Sequence, residues 1–270
     1  MCDTKERLDV ELVKRELFLS REKARESISK GEIYVNGVCI IKPSKKVGKE
    51  DKLEFRGKIL PYVSRGGLKL EKAIKEFNID LKAKVCFDIG ASTGGFSDCM
   101  LQNDAFKVFA IDVGTGQLHE KIKEDKRVVN LEKTNIRYLN YDKVGEYGDF
   151  ASIDVSFISL TKVIPSVVAL LKEKGEVVAL IKPQFEAGKG KIGKHGVVKK
   201  QQVHVEVINN ICNFLILHKL SILNLSYSPI KGPEGNIEYL IYFTKDELDS
   251  KIVLKEKILT TVKNAHNDLR

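Results

Sequence analysis

The sequence predicts an α/β fold: a mostly parallel, doubly wound sheet with helices on both faces, preceded by a small α+β unit. Three observations predict it. Short apolar runs at residues 85–89, 108–111, 128–131, 151–155 and 177–181 alternate with amphipathic stretches, the rhythm of strands joined by crossover helices. A glycine turn, Asp88-Ile-Gly90-Ala-Ser92-Thr93-Gly94-Gly95-Phe96, follows the first run. The chain has 270 residues, more than a usual single domain, and its first 60 carry a separate pattern of short helices and a hairpin.

That first unit is read over residues 1–58. Leu8, Leu12, Val13 and Leu17 recur at helical spacing, and Ser20 is placed to cap a second helix carrying Ala24 and Ile28. Gly31 stops it. Residues 33–38 then read as a strand entering an Asn36-Gly37 hairpin turn, and residues 53–55 as a further short strand. The first 60 residues hold 15 Lys/Arg against 11 Asp/Glu. Arg21 and Arg25, at i and i+4, share one helix face, to which Arg7, Lys14 and Arg15 add, with Lys42, Lys45 and Lys46 in the next loop. An ordinary solvated face would show the same spacing.

A linker is expected at 59–65, where Pro61 disfavours helix. The larger unit, 66–270, opens with a helical stripe of Leu68, Leu70, Ala73, Ile74 and Phe77. After the five apolar runs come two more at residues 222–227 and 239–243. They flank Gly232-Pro-Glu-Gly235, a turn suited to an antiparallel edge hairpin. Leu248, Ile252, Leu259 and Val262 suggest a final helix packed on one side.

Net charge is +9 with a pI near 9.1, a balance that favours polyanionic partners through counterion release. Cys2, Cys39, Cys86, Cys99 and Cys212 lack paired spacing, which argues against a zinc site or a disulfide framework, and Cys86 and Cys212 fall in apolar runs that suit buried thiols. No metal site is expected. The N-terminal residues show no apolar signal segment, and the most hydrophobic stretch, 211–223, contains His218 and Lys219 and is too short to span a bilayer. A cytoplasmic monomer without membrane association is expected.

The glycine turn has the spacing G-x-x-x-G-G rather than the G-x-G-x-x-G of dinucleotide sites. It suits a ligand without a pyrophosphate, held by backbone N–H groups at a helix start. Asp112, 22 positions after Gly90, closes the second strand, where a carboxylate can accept from ribose hydroxyls. Asp88 could equally cap the following helix, and Asp112 could face water.

Four charged residues stand in distinctive phrases: Lys69 in Ser64-Arg65-Gly-Gly-Leu-Lys69, Asp154 in Ser152-Ile-Asp154-Val-Ser-Phe, Lys182 in Leu180-Ile-Lys182-Pro-Gln-Phe, and Glu238 in Gly235-Asn-Ile-Glu238-Tyr. A lysine acts as a base only when its pKa is lowered, which burial and a second lysine both promote. Carboxylates then hold the ammonium groups and keep the cluster near neutral. Asp154 and Lys182 are expected at the C-terminal ends of neighbouring strands, where open α/β sheets bind ligands.

Two resemblances follow. Arg7-Leu-Asp9, Leu17-Phe-Leu19-Ser20-Arg21-Glu-Lys-Ala24, Ile28-x-x-Gly31, Val35-Asn36-Gly37 and Lys42-Pro43-Ser44 resemble the α-L RNA-binding motif, which implies binding of structured RNA by phosphate contacts and shape. RNA contacts are expected at Arg7, Arg15, Ser20, Arg21, Arg25 and Lys42, and at Arg65 in the linker. From Arg7 to Phe243 the chain resembles the TlyA family within the FtsJ-like 2′-O-methyltransferases. The phrases that carry this are Tyr62-Val-Ser-Arg65-Gly-Gly-Leu-Lys69, Asp112-Val113-Gly114-x-Gly116-Gln117, Asp154-Val-Ser-Phe-Ile-Ser-Leu160, Lys182-Pro-Gln-Phe-Glu186 and Gly232-Pro-Glu-Gly-Asn236-Ile-Glu238.

This resemblance implies a Rossmann-like class I methyltransferase with a seven-stranded sheet, S-adenosylmethionine as cofactor, and 2′-O-methylation of cytidine in ribosomal RNA of one or both subunits. It implies cofactor contacts at Asp88, Gly90, Ser92, Thr93, Gly94, Gly95, Phe96, Asp112 and Val113. Lys182 would be the base, Lys69 and Asp154 would position it, and Glu238 would anchor the lysines. Some members carry a linker tryptophan where this chain has Tyr62 and no Trp anywhere. A glycine-rich basic loop at 187–200, Lys194 within it, could close over phosphates or be a plain surface loop. Two other readings stay open: a non-catalytic RNA-binding assembly factor, and a haemolysin-like cytolysin.

Overall fold

The computed structural model describes residues 5–18, 20–57, 60–193, 195–248 and 254–269. Cys2, Leu19, Lys194 and Ile252, named above, lie outside these. The chain divides into two compact units, Met1–Leu60 and Pro61–Arg270.

In the smaller unit β1 (Glu6–Arg7) leads into α1 (Leu8–Lys14) and α2 (Arg21–Ser29), followed by β2 (Ile33–Val35), β3 (Val38–Cys39), β4 (Lys46–Val47) and β5 (Leu53–Phe55). Ser20 caps α2 by accepting from Lys23 N. Asn36 and Gly37 both take left-handed φ values, 50° and 81°, the geometry of a two-residue hairpin turn between β2 and β3. β2 pairs antiparallel with β3 and β5, and β1 with β4. Leu8, Leu12, Ala24, Ile28, Ile33, Val35 and Val47 form the core.

The larger unit runs α3 (Gly67–Phe77), β6 (Val85–Ile89), α4 (Gly95–Gln102), β7 (Lys107–Ile111), α5 (Glu120–Lys123), β8 (Val128–Leu131), α6 (Tyr141–Val144), β9 (Gly148–Ile153), α7 (Ile164–Ala169) and β10 (Leu171–Ile181). It closes with α8 (Pro183–Glu186), α9 (Gln201–Leu217), β11 (Ser221–Tyr227), β12 (Tyr239–Thr244) and α10 (Leu254–Asp268). The seven strands lie in the order β11-β12-β10-β9-β6-β7-β8. β8, β7, β6, β9 and β10 are parallel; β12 runs antiparallel between β10 and β11, the edge hairpin the sequence predicts. Chain order reverses at β6, so a crevice opens beyond the carboxyl ends of β6 and β9.

Both faces of this sheet are covered, which explains the apolar runs. Along β10, Val177, Ala179 and Ile181 enter one core while Val178 and Leu180 enter the other.

Three features differ from expectation. β10 begins at Leu171, earlier than residue 177, because its first half (Lys-Glu-Lys-Gly) is polar and irregular in register. The expected linker is shorter, since Pro61 to Arg65 belong to the larger unit. Gln102 Nε2 donates to Pro61 O at 2.8 Å and Val63 N to Asp98 Oδ2 at 2.8 Å. Tyr62 is buried there against Gly67, where a Cβ would lie 2.4 Å from its ring. Finally, α10 buries Ile258, Thr261, Val262 and Ala265, while Leu248 and Leu259 are half-exposed. Isolated apolar residues on a surface are ordinary and misled the stripe. Among the described residues Cys86, Cys99 and Cys212 are buried free thiols, and no helix is long and apolar enough to cross a membrane.

Candidate active site

The sheet brings the four charged residues together. Lys69 stands in the first turn of α3, Asp154 directly after β9, Lys182 directly after β10, and Glu238 directly before β12. Lys69 Nζ lies 2.7 Å from Glu238 Oε2 and 3.4 Å from Asp154 Oδ2. Lys182 Nζ lies 2.6 Å from Asp154 Oδ1 and donates to Ser156 Oγ at 3.1 Å. Asp154 Oδ1 is thus satisfied by the Lys182 ammonium, whereas Glu238 Oε1 is buried without a hydrogen-bond donor. Lys69, Lys182 and Glu238 are buried, and Asp154 nearly so.

The charges fix one another. Burial works against the Lys69 ammonium, but Asp154 and Glu238 outweigh it and hold the lysine above its ordinary pKa. Burial likewise opposes the Asp154 carboxylate, and Lys69 with Lys182 nevertheless keeps it below the usual range. Two ammonium groups and two carboxylates leave the cluster balanced, which is how charge survives in a protein interior.

Neighbouring residues hold the geometry, and sequence reasoning did not single them out as site residues. Glu186 on α8 accepts from Leu160 N at 2.8 Å and Ser159 Oγ at 2.7 Å, tying the Lys182 loop to the Asp154 loop. Asn236 ties the Glu238 loop to the basic loop: Val198 N donates to its Oδ1 and its Nδ2 donates to Gly196 O. Val198 O is held in turn by buried His204 Nε2 at 2.8 Å, whose Nδ1 lies 2.6 Å from Tyr239 Oη. A carbonyl only accepts, so Nε2 carries the proton and Tyr239 donates to Nδ1. Burial pushes the His204 pKa down to about 4. At Gly232 a Cβ would sit 2.3 Å from Glu238 Oε1, so no side chain fits. Phe157 has a left-handed φ of 63° and is 91% exposed, with its ring 5.0 Å from that of Phe185. A bulky exposed residue in that conformation is strained, and such strain gathers at functional sites. Signals for most of these were present, since they stand inside the phrases that carry the resemblance.

A cleft of about 130 Å³ adjoins the tetrad, lined by Ser64, Gly66, Gly90, Ala91, Ser92, Thr93, Gly95, Phe96 and Asp154. Its glycines permit close packing. At Gly90, φ 85°, a Cβ would lie 2.5 Å from Asp154 O, and at Gly95 one would lie 2.2 Å from Ser64 Oγ. Asp112 follows β7 and accepts from Ser92 N at 2.8 Å and Gly114 N at 2.7 Å, which sets its carboxylate beside the turn; Val113 is exposed next to it.

Asp88 is placed differently from the ligand contact expected. It is buried under the turn, where Oδ2 accepts from Ser97 N and Oγ and Oδ1 from Ser152 Oγ. It therefore holds the first turn of α4 through Ser97, although the N-cap position itself is Gly94 rather than Asp88. Burial raises its pKa to about 6 against the pull of these donors. Gly94, φ 91°, packs on Leu118 rather than lining the cleft.

In the smaller unit Arg7, Arg21 and Arg25 converge on the buried carboxylate of Asp9. Arg15 departs from the surface contact expected: it donates to Glu11 Oε1 and to the carbonyls of Gly48, Lys49 and Asp51, which hold it inside the unit. Ser20 caps α2, Lys42 is exposed, and Arg65 in the larger unit is exposed beside the cleft-lining Ser64 and Gly66. No group of His, Cys, Asp and Glu suited to a metal ion occurs among the described residues.

Comparison with known proteins shows the family. An FtsJ-like methyltransferase family model matches residues 62–245, and an S4 domain model matches residues 6–53. Hemolysin A of Brachyspira hyodysenteriae is 43% identical over 225 residues, covering 83% of this chain and 93% of that protein. The 16S/23S rRNA (cytidine-2'-O)-methyltransferase TlyA of Mycobacterium tuberculosis is 38% identical over 237 residues, covering 87% and 88%. A solved structure from Streptococcus thermophilus, which bears a provisional hemolysin label, matches with a TM-score of 0.78 at 42% identity, covering 99% of this chain and 98% of that one.

Proposed function

We propose that this chain, which belongs to the TlyA family of FtsJ-like methyltransferases, methylates ribose 2′-hydroxyls of ribosomal RNA with S-adenosylmethionine as donor. Cytidine is the nucleotide we assign, in the small and large subunits, as in the name of the Mycobacterium tuberculosis relative. The observation that carries the reading is Asp154, which both lines the glycine cleft and holds the two lysines. A methyl donor in that cleft and a hydroxyl at the tetrad would then meet in one place, and alignment supplies much of such a transfer.

The residues present fit this cofactor. Gly90, Ser92, Thr93 and Gly95 line the cleft that would receive its amino acid and ribose, and Asp112 beside the turn can accept from hydroxyls. When bound, S-adenosylmethionine supplies an electrophilic methyl group on a sulfonium.

Lys69 is held as an ammonium by Asp154 and Glu238, so we assign the base to Lys182. Lys182, once it has released its own ammonium proton to water, takes the proton from the 2′-oxygen onto Nζ, and Asp154 and Ser156 orient that nitrogen. Lys69 stays charged and keeps Asp154 ionised. Glu238 anchors Lys69. Phe157 offers an exposed ring beside Ser156 on which a nucleobase could stack.

The test is transfer of radiolabelled methyl groups from S-adenosylmethionine to purified, unmodified ribosomal subunits, by the wild type and by Lys182→Ala. Label in RNA with the wild type alone is expected. Absence of transfer to subunits and whole ribosomes, with cofactor still bound, would remove ribosomal RNA as substrate. Ribosomal RNA as substrate would place the reaction in the cytoplasm, and a monomer is the form we propose. The hemolysin name of one relative keeps a lytic reading in view, and leakage from liposomes exposed to the pure chain would revive it.

A further inference from the structure

We infer that Asp9 is a positioning residue: its buried carboxylate gathers Arg7, Arg21 and Arg25 into one preorganised site for RNA phosphate groups. The inference rests on the RNA reading above and adds to it how the arginines are held.

Asp9 stands on α1 with its side chain at 0% exposure. Arg7 Nε donates to Oδ1 at 2.9 Å and Arg7 Nη2 to Oδ2 at 3.2 Å. Arg21 Nη2 and Arg25 Nε, both from α2, donate to Oδ2 at 3.1 and 2.7 Å. These guanidinium side chains are 39%, 51% and 52% exposed. One arginine would neutralise the carboxylate. Drawing three like charges onto a single anion costs repulsion and leaves a surplus of two positive charges at the surface. Each guanidinium has about five N–H donors, so the four bonds to Asp9 engage only a minority of them on side chains that are partly exposed. A phosphate group neutralises such a surplus and accepts in the same planar geometry. Arginines already fixed by Asp9 lose less side-chain entropy on binding than free ones.

The test separates geometry from charge. Affinity of the full chain for deproteinised ribosomal RNA is measured by filter binding across a salt series, for the wild type, Asp9→Asn, Arg21→Lys and Arg25→Lys. Charge alone predicts that Asp9→Asn, one unit more positive, binds tighter. Positioning predicts the opposite, a loss of roughly tenfold in affinity, and a raised KM for RNA with kcat unchanged when the same variants are assayed for methyl transfer to ribosomal subunits. The lysine variants keep their charge on half-exposed side chains that the core does not need, and each is expected to lose roughly threefold, because a lysine cannot form the bidentate fork. If Asp9→Asn fails to fold, by circular dichroism, the lysine variants decide. Wild-type affinity in those variants, or tighter binding by a folded Asp9→Asn, would overturn the inference. A wild type that binds no RNA would instead sink the RNA reading itself.

Discussion

The two ion clusters of this chain use the same chemistry to opposite ends. In the larger unit Lys69, Lys182, Asp154 and Glu238 balance one another and are largely withdrawn from water. In the smaller unit one buried carboxylate, Asp9, gathers three half-exposed arginines and leaves positive charge in excess. Balance suits a site that must place a proton and an attacking oxygen, because each charge is held against a partner. Excess suits a site whose missing counter-charge arrives with a ligand. A cluster's net charge and depth thus separate a site built for chemistry from one built for binding.

The strongest way to break this comparison is at Lys182. Lys182→Ala is expected to lower methyl transfer by about 10²–10⁴-fold, with cofactor binding by calorimetry retained. Near-wild-type transfer would show that the balanced cluster is only structural.

Stability should divide the clusters next. Glu238→Ala strands Lys69 beside fewer partners and is expected to cost about 3–5 kcal/mol, whereas Arg25→Ala, an exposed partner, costs about 1 kcal/mol or less. Equal shifts in denaturant midpoint would erase the distinction.

Acid should then select the larger unit, since the first 60 residues contain no histidine. The folded His204 pKa is lowered to about 4, so its contribution is present above the unfolded value near 6.5 and is lost as pH falls through 4. The loss amounts to about 3 kcal/mol at most. Unfolding midpoints from pH 7 to 4 check this, and His204→Gln should flatten the dependence.

Gly232→Ala tests how tightly the tetrad is packed. A methyl group there meets Glu238 Oε1, and the overpacking should cost about 1–3 kcal/mol and reduce transfer. Unchanged activity and midpoint would mean that the loop yields freely.

The smallest effect lies at alkaline pH. The folded Lys69 pKa is raised, so its stabilisation is complete below the unfolded value of about 10.4 and fades as pH rises through the folded one. The arginine cluster keeps its charge over the same range. Lys69→Met should remove that part of the alkaline slope in thermal unfolding.

Much of this was legible in the sequence because it depends on local pattern. Residues 108–111 and 177–181 read as strands because burial on both faces makes them continuously apolar, and the phrases around Lys69, Asp154, Lys182 and Glu238 stood out as phrases. What was not legible depends on distant partners. Nothing near Asp88 says that Ser97 and Ser152 will surround it, and nothing near Arg15 says that its guanidinium will turn inward to Gly48 and Asp51. Asp9 lay in full view within a motif valued for its arginines. Its role is visible only once α1 and α2 pack and the carboxylate is buried beneath them.

The sharing of Asp154 between cleft and tetrad also bears on inhibitor chemistry. A compound seated in the cleft and carrying a cationic group would reach the carboxylate that holds Lys69 and Lys182. By competing for that anion it would loosen both lysines while occupying the donor's place. One small molecule could therefore disarm the proposed base and displace the methyl source together.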